Sequence, residues 1–440
     1  MQEIINQIGK DEIRFINFQF TTIDGTIRQL INPARGLEGL LSDGLGFDGS
    51  SCKYVPVNQS DLTLKPDLST YQVLPWGDAE NRTARFICDV FSGDGAEPFT
   101  ADPRCLLKKM IADMKAEFGQ GWDFMLAPEI EFFLLEKDEN GNYIPNDRAS
   151  YFDIPPYDKG CEFRKDISRA LDSVGLVTEK NHHEVPNGKH EITFAYGEAL
   201  SVADQTVTFR QVVKYMAAQR GLIATFMPKP FVWTYGCGMH VHLNLKDSEA
   251  KCNLFYDEAD AHNLSQTARH FIAGLLAHAR GLTGITNPSV NSYKRLVPGW
   301  EAPVYVSWGF GNRSSLLRIP KGNPKAMRVE TRNPDSSCNP YLAYAALLAA
   351  GLDGVRNQMT PPDYINDNIY ALTPEEKSAR GIGDLPSDLK EALDAFEADT
   401  TLNGAFGKSF TEKFLALKRR EVTEFSTTIH PWELETYVNV

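Results

Sequence analysis

Paired cysteines are missing from this sequence. Its 7 cysteines are scattered along 440 residues, their number is odd, and no Cys-x-x-Cys motif occurs. A disulfide framework is therefore excluded as the organising feature of the fold, and a zinc site rich in thiolates is equally disfavoured. Reduced thiols of this kind predict a cytoplasmic protein.

Positive charge and long apolar runs are also lacking. The formal net charge is −13 and the pI is near 5.3, which argues against a nucleic-acid partner, although local arginine clusters still permit anionic substrates. There is no run of about eighteen apolar residues and no basic-then-apolar N-terminus, so we expect neither a membrane span nor a signal peptide. No internal repeat or low-complexity tract is present.

The length of the chain exceeds one typical core and predicts two domains. Residues 1–97 carry the alternation of a small mixed sheet, with a hairpin turn at Asp24-Gly25 and a short helix over 37–45. A glycine-rich stretch at 92–98 is the predicted linker. Residues 98–440 alternate strands with helices, predicted over 168–174, 204–220, 261–280 and 341–352, the middle two ended by Gly221 and Gly281. Residues 287–307 predict a long functional loop, and charged surface helices follow over 373–420.

The densest set of metal-capable side chains lies at residues 181–191, which read NHHEVPNGKHE. This stretch holds three histidines and two glutamates. Taken alone it is equally typical of a polar turn between strands whose histidines bond to the backbone.

Three other segments also carry charged or metal-capable residues, spaced two positions apart. Glu129 and Glu131 form one such pair, and His240 and His242 form another, in segments that are otherwise apolar. A third segment reads RVETR at 328–332. Side chains two apart on a strand project from one face, and charges in apolar strands are costly unless they are paired or bind a cation. Carboxylates with a few imidazoles suit Mg²⁺ or Mn²⁺ better than zinc.

Together these segments resemble the glutamine synthetase family of the bacterial and archaeal type. The resemblance runs through nearly the whole chain in the family's order. It rests on FDGSS at 47–51, SDLTLKPD at 60–67, PEIEFF at 128–133, HHEV at 182–185, MPKP at 227–230, GMHVH at 238–242, the NPSVNSYKRLVPGWEAP run at 287–303, NRS at 312–314, RIP at 318–320 and NPYLA at 339–343. It implies an α+β fold with an N-terminal β-grasp-like domain and a catalytic domain whose curved antiparallel sheet is flanked by helices.

The resemblance implies a reaction in which ATP phosphorylates the γ-carboxylate of glutamate and ammonia then displaces phosphate. Such phosphoryl transfer requires divalent ions and cationic side chains. By position, one metal is expected among Glu131, Glu184 and Glu191. The other is expected among Glu129, His240 and Glu330. Surface or salt-bridged carboxylates are the alternative interpretation.

The family also implies roles for the arginines and for the nucleotide side. Arg318 resembles the residue that neutralises ATP phosphates, and Arg313 and Arg332 resemble those that stabilise the transferring phosphoryl group. Arg295 corresponds to the clamp on the amino-acid α-carboxylate. The positions on the nucleotide side are Glu179, His242, Lys325 and Arg328, and for His242 an ordinary strand histidine is the alternative.

The loop residue Glu301 matches a flap that closes the glutamate site and accepts a proton from the amine. Asp48, Tyr151 and Glu184 match the ammonium pocket, with Ser51 nearby. In this family Asp48 reaches the site of a neighbouring subunit, so the resemblance implies a ring oligomer, typically two stacked hexamers.

Several positions depart from the family pattern. Tyr235, before Gly236 on the substrate side, replaces an asparagine that contacts glutamate. Lys189 stands where glutamine is usual. The segment after Ser51 lacks the feedback arginine, and the sequence around Tyr370 departs from the modified-tyrosine motif, so neither control is expected. A γ-glutamyl ligase for another amine or a modified acid, and a non-catalytic relative, are the alternative functions.

Overall fold

The N-terminal part of the chain forms a five-stranded mixed sheet in this computed structural model, which describes residues 1–440. The strand order is β2-β1-β5-β4-β3, with β1 parallel to β5 and the other pairs antiparallel. The predicted hairpin forms across Asp24-Gly25, and the sheet is the predicted β-grasp-like domain. The elements are α1 (Gln2–Lys10), β1 (Phe15–Thr21), β2 (Ile27–Pro33), α2 (Leu37–Ser42), β3 (Leu45–Asp48), β4 (Asp61–Val73) and β5 (Thr83–Ser92).

Helix α3 (Pro103–Phe118) leads into the larger part of the chain. Asp102 caps it by accepting a hydrogen bond from the Cys105 backbone N–H at 3.0 Å, and Pro103 occupies the tolerated first position. Arg104 is buried and pairs with carboxylates on both sides: Asp67 and Asp89 of the small sheet and Asp204 of the larger part. These ion pairs join the two parts of the molecule.

The second sheet is larger and mostly antiparallel. Its main path runs β15-β16-β17-β12-β6-β9-β8, with β7, β10 and β11 pairing with β6 and β13 pairing with β12. The strands are β6 (Trp122–Lys137), β7 (Tyr143–Pro145), β8 (Thr178–His183), β9 (Lys189–Phe194), β10 (Gly197–Glu198), β11 (Ile223–Thr225), β12 (Met239–Asp247), β13 (Cys252–Asn253), β15 (Trp308–Phe310), β16 (Leu317–Ile319) and β17 (Val329–Thr331). A separate pair joins β14 (Tyr305–Val306) to β18 (Gly383–Asp384).

Helices flank this sheet. They are α4 (Cys161–Ser173), α5 (Ala199–Ala218), α6 (Gln266–Ala277), α7 (Ala279–Thr286), α8 (Ser292–Arg295), α9 (Pro340–Arg356), α10 (Pro374–Ala379), α11 (Leu389–Ala398), α12 (Thr400–Phe406), α13 (Lys408–Thr427) and α14 (Pro431–Tyr437). The alanine- and leucine-rich α9 is almost fully buried, as its composition predicts. Buried apolar side chains of both sheets form one continuous core. None of the helices combines the length and apolarity that a membrane span needs.

Strand register determines which polar side chains meet. On β12, His240 lies opposite Glu129 of β6, and His242 lies opposite Glu330 of β17. On β9, Glu191 lies between Glu131 of β6 and His182 of β8. Because alternate residues share a face, one side of the sheet collects carboxylates and imidazoles.

Two helical predictions need correction. The helix predicted over 261–280 begins later, because the Ser265 side chain caps α6 by accepting from the Ala268 N–H at 3.1 Å. It also breaks at His278, so that Gly281 lies inside α7 rather than at a helix end. The helices over 373–420 are not all solvated, since α11 and α13 bury phenylalanine side chains.

Candidate active site

A cavity of about 760 Å³ lies over the polar face of the large sheet. It gathers many of the side chains that the sequence singled out. Its lining includes Glu129, Glu131, Tyr151, Glu184, Glu191, Tyr235, Gly236, His240, Arg295, Glu301, Arg313 and Arg332. We call it the large cavity.

One group of metal-capable side chains at this cavity is the Glu330 cluster, formed by Glu129, His240 and Glu330. Their ligand atoms lie within 4.8 Å of one another, and they come from three adjacent strands. His240 Nδ1 lies 3.4 Å from Glu129, which also pairs with His242 Nε2 at 3.0 Å. This is the set that the sequence proposed for one metal, and two carboxylates with one imidazole suit Mg²⁺ or Mn²⁺.

Both carboxylates of this cluster are held ionised. Burial opposes ionisation of Glu330, but Arg332, the two neighbouring histidines and Arg318 hold its pKa at about 2. Burial likewise acts against the charge on Glu129, yet hydrogen bonds from His240 and His242 keep its pKa well below the usual value. The cluster can therefore offer charged oxygen ligands at neutral pH.

The second group is the Glu184 cluster, formed by His182, Glu184 and Glu191, again with ligand atoms within 4.8 Å. His182 Nε2 is 3.3 Å from Glu191, and its Nδ1 is 3.6 Å from Glu184. The sequence expected Glu131 in this place. Glu131 instead pairs with Lys189, whose Nζ lies 2.7 Å from Oε2.

The surroundings of Glu184 favour the protonated form of its carboxyl group. Burial raises its pKa to about 7, and the nearby Glu131 and Glu191 push in the same direction while Lys189 opposes them. A carboxylate with a pKa near neutrality can accept a proton from an ammonium ion or bind a cation.

Arg295 also lines the large cavity and is 3% exposed. Its two terminal nitrogens donate to the carbonyls of Asn333 at 2.8 Å and Arg332 at 3.1 Å. Each of those nitrogens keeps a second N–H, so the guanidinium can still bind a carboxylate. Two glycines make room for it: a Cβ on Gly238 would lie 2.6 Å from Nη2, and one on Gly236 would press on the Arg295 side chain.

The loop over the cavity is aromatic. The Tyr235 ring meets Trp300 edge to face with centroids 5.8 Å apart, and the Lys229 ammonium lies 3.9 Å from the Trp300 ring centroid. Glu301 follows with a φ of 54°, a left-handed conformation that is uncommon outside glycine. Such local strain is typical of functional loops and is consistent with a mobile flap.

A second cavity of about 490 Å³ adjoins the first and holds the predicted nucleotide-side residues. Glu129 and Lys180 line both cavities, so the two spaces meet at these side chains. Arg328 Nε donates to His242 Nδ1 at 3.2 Å. The predicted members of its lining are Glu179, His242, Lys325 and Arg328.

Three predicted site residues lie elsewhere. Arg318 pairs with Glu330 from the neighbouring strand. Asp48 and Ser51 are exposed and do not line the large cavity of their own chain. Asp48 accepts hydrogen bonds from the hydroxyls of Ser50 and Ser51, both at 2.6 Å, and these hold its pKa at about 2.

Sequence reasoning assigned no role to seven side chains of the large cavity: Phe152, Lys180, Asn181, His182, Val185, Lys189 and Trp300. His182 was visible in the dense stretch at 181–191, and Lys189 was visible as a departure from the family pattern. Phe152 stacks on Tyr151 with centroids 3.9 Å apart, and both rings meet His182 edge to face. No spacing signal in the sequence indicates these aromatic contacts.

Comparison with known families agrees with this arrangement. Residues 12–93 match the model of the glutamine synthetase β-grasp domain, and residues 100–437 match that of the glutamine synthetase catalytic domain. Together the two matches span nearly the whole chain.

Individual relatives are similar over their full length. The chain is 46% identical to the glutamine synthetase of Thermotoga maritima over 441 residues, covering 99% of each chain. It is 42% identical to that of Methanococcus maripaludis over 449 residues, covering 100% of this chain and 99% of the relative. Among solved structures, GmaS without ligand superimposes with a TM-score of 0.88 at 32% identity, with complete coverage of both chains. The Plasmodium falciparum glutamine synthetase superimposes with a TM-score of 0.87 at 26% identity, covering 99% and 98%.

Proposed function

The chain belongs to the glutamine synthetase family, and from this premise we propose which of its residues carry the reaction. Members of the family are ATP-dependent ligases, and this chain joins ammonia to the γ-carboxylate of glutamate through a γ-glutamyl phosphate, giving glutamine. The assignments that follow are proposals about individual side chains.

One observation supports the assignments most strongly. The large cavity and the adjoining cavity meet at Glu129 and Lys180, directly beside the two carboxylate clusters. A nucleotide in the adjoining cavity would present its terminal phosphate to an acid in the large cavity. We therefore assign the adjoining cavity to ATP, with Glu179, His242, Lys325 and Arg328 as its contacts.

The family uses a divalent metal, and we propose Mg²⁺ or Mn²⁺ at the two clusters. Glu129, His240 and Glu330 would hold one ion, and Glu184 and Glu191 would hold the other. When bound, these ions neutralise phosphate charge and orient the reacting oxygens. The carboxylates of Glu129 and Glu330 are already ionised and need no proton release to bind.

Cationic side chains complete the phosphoryl-transfer site. Arg313 is exposed at the cavity rim, and Arg332 is buried beside Glu330. We assign both to the transferring phosphoryl group, with Arg318 supporting Glu330 from the next strand and facing the ATP phosphates. Arg295 would hold the α-carboxylate of glutamate, and Tyr235 and Gly236 would contact the same substrate.

We assign the ammonium end of the cavity to Tyr151 and Glu184. Glu184, with a pKa near 7, can accept a proton from ammonium before nitrogen attacks. Glu301 would close over the acyl phosphate and exclude water. Asp48 and Ser51 are exposed and lie outside their own cavity, so we propose that they complete the site of a neighbouring subunit in a dodecamer of two hexameric rings.

The seven cysteines are all free thiols, which fits a reducing, cytoplasmic location within this proposal.

The reaction is tested by following oxygen from glutamate into phosphate. With ¹⁸O in the γ-carboxylate and with ATP, Mg²⁺ and ammonia present, one labelled oxygen should appear in each phosphate released, measured by mass spectrometry. Glu184→Ala should lower turnover by about 100-fold or more while rings still assemble, since oriented electrostatic groups contribute factors of this size. Unlabelled phosphate would contradict an acyl-phosphate route.

A second candidate is ligation of a larger amine. The packing of Tyr235 against Trp300 changes the acid side of the pocket, whereas the ammonium-end residues Tyr151 and Glu184 keep the family pattern. This distribution favours ammonia as the nucleophile.

A further inference from the structure

The buried lysine Lys189 lies among the carboxylates of the large cavity. It begins strand β9, is 4% exposed, and places Nζ 2.7 Å from Glu131 Oε2. Lys189 and Glu191 are two residues apart on β9, so both side chains project toward the cavity. Glu131 lies diagonally across the strand pair, which is within reach of a long side chain.

Two contacts engage the carboxylate of Glu131. Its Oε2 accepts the Lys189 ammonium and also the backbone N–H of Gly238 at 2.5 Å. The side chain is 6% exposed, and separating the pair would leave two charges in the protein interior. Breaking such a buried pair is strongly destabilising, because it leaves an uncompensated charge in the interior.

His182 occupies the position that Glu131 leaves open. Its two ring nitrogens face the carboxylates of Glu184 and Glu191 at 3.6 and 3.3 Å. The resulting donor set is two carboxylates and one imidazole. The Glu330 cluster has the same composition.

Charge balance favours the same arrangement. With all three carboxyl groups deprotonated, as metal binding requires, Glu131, Glu184 and Glu191 would carry −3, and Lys189 adds +1 to give −2 at this end of the cavity. One divalent ion neutralises a charge of −2 completely. Lys189 therefore acts as a fixed counter-ion within the site.

We propose that Lys189 permanently occupies Glu131, so that His182, Glu184 and Glu191 hold the divalent ion at this end of the cavity. This inference rests on the proposed function, because it concerns the metal of that reaction. Lys189 is a positioning residue, and His182 is an additional metal ligand of this chain.

Binding of Mn²⁺ alone to the assembled protein tests the inference without substrates. By calorimetry, His182→Ala should weaken one of two Mn²⁺ sites per chain by about tenfold or more. Lys189→Gln frees Glu131 as a ligand and should tighten the site by about tenfold, since affinity follows the charge of the ligand set. Lys180→Gln is the matched control: it removes a positive charge from the same cavity without touching Glu131, and it should leave affinity unchanged.

Because Glu131→Gln leaves Lys189 unpaired in the interior, that variant can fail to fold. The double variant Lys189→Gln, Glu131→Gln removes both charges and should bind Mn²⁺ as the wild type does, within about threefold. Electron spin echo spectra of bound Mn²⁺ provide a second measurement. They should show nitrogen coupling from two imidazoles in the wild type and from one in His182→Gln.

Two results would overturn the inference: a nitrogen signal and an affinity that substitution of His182 leaves unchanged, or a tenfold loss of affinity in the double variant Lys189→Gln, Glu131→Gln. Either would mean that Lys189 moves aside when metal binds. The ¹⁸O transfer from glutamate is measured separately, so failure here leaves the ligase assignment intact, and failure there leaves the metal result intact.

Discussion

Tyr235 is the residue whose chemistry departs most clearly from the rest of the acid site. Its ring packs against Trp300 of the loop over the cavity, and its hydroxyl makes no hydrogen bond within the chain. We expect Tyr235→Asn to lower the KM for glutamate. The asparagine amide can hydrogen-bond a buried substrate group that would otherwise be unpaired, and leaving such a group unpaired costs about 1–3 kcal/mol. Losing the contact between the two aromatic rings costs about 0.5–1.5 kcal/mol.

The net change is about 1 kcal/mol, or roughly a fivefold lower KM. Steady-state kinetics with ammonia and methylamine check this, and the ranking of the two amines should stay the same. Tyr235→Phe is the control that keeps the ring and removes only the hydroxyl. A KM that rises in Tyr235→Asn would show that the tyrosine is the better ligand for glutamate.

The sequence could predict only those features of the site that follow from residues close together in the chain. The alternation of a strand is local, so Glu129 with Glu131 and His240 with His242 could be assigned to one face each. The pairing of Lys189 with Glu131 depends on the register of β9 against β6, which is a long-range property. No sequence spacing predicts that register, so the ion pair between Lys189 and Glu131 could not be foreseen.

At the scale of secondary-structure elements, the helix predicted over 261–280 is divided into two helices, α6 and α7. His278 sits at the break, and its ring nitrogens contact Asp399 at 2.7 Å and Asp353 at 3.1 Å. Inside α7, Gly281 packs against Asp399 and Leu402, which a Cβ would approach to 3.2 Å. The sequence pattern predicted that Gly281 ends a helix. In the structure its missing Cβ instead lets α7 pack closely against Asp399 and Leu402.

This junction predicts a dependence of stability on pH. Burial disfavours the His278 imidazolium, but Asp399 and Asp353 raise its pKa above the usual value for histidine. Because the folded pKa is raised, the stabilisation is complete below the unfolded pKa of about 6.5 and is lost as pH rises through the folded pKa. Denaturant unfolding of the wild type and His278→Gln should therefore differ most in acid and converge in alkali. Parallel pH profiles would contradict this.

At the scale of the whole molecule, the two domains share one core and the Arg104 ion pairs, yet Asp48 lies outside the cavity of its own chain. A shared site predicts complementation between subunits. Asp48→Ala and Arg313→Ala chains should each be inactive as uniform assemblies. After dissociation and joint reassembly, mixed rings should regain activity where an intact loop meets an intact cavity.

Mass measurement of the mixed assemblies is the necessary control. Verified mixed rings without any recovered activity would show that Asp48 does not serve a neighbour. The boundary between residues 97 and 98 stays a prediction, because buried side chains run continuously across both domains.

The central claim is that this chain joins ammonia to glutamate, and a competition between amines tests it most directly. The assembled wild-type protein would receive Mg²⁺, ATP and glutamate together with ammonia, methylamine or ethanolamine, and the products would be identified by mass. We predict the highest kcat/KM for ammonia, with glutamine as the product, because Tyr151 and Glu184 are our proposed site for ammonium. Preference for methylamine or ethanolamine over ammonia would show that ammonia is not the nucleophile for which this site is built. It would favour a γ-glutamyl ligase for a larger amine.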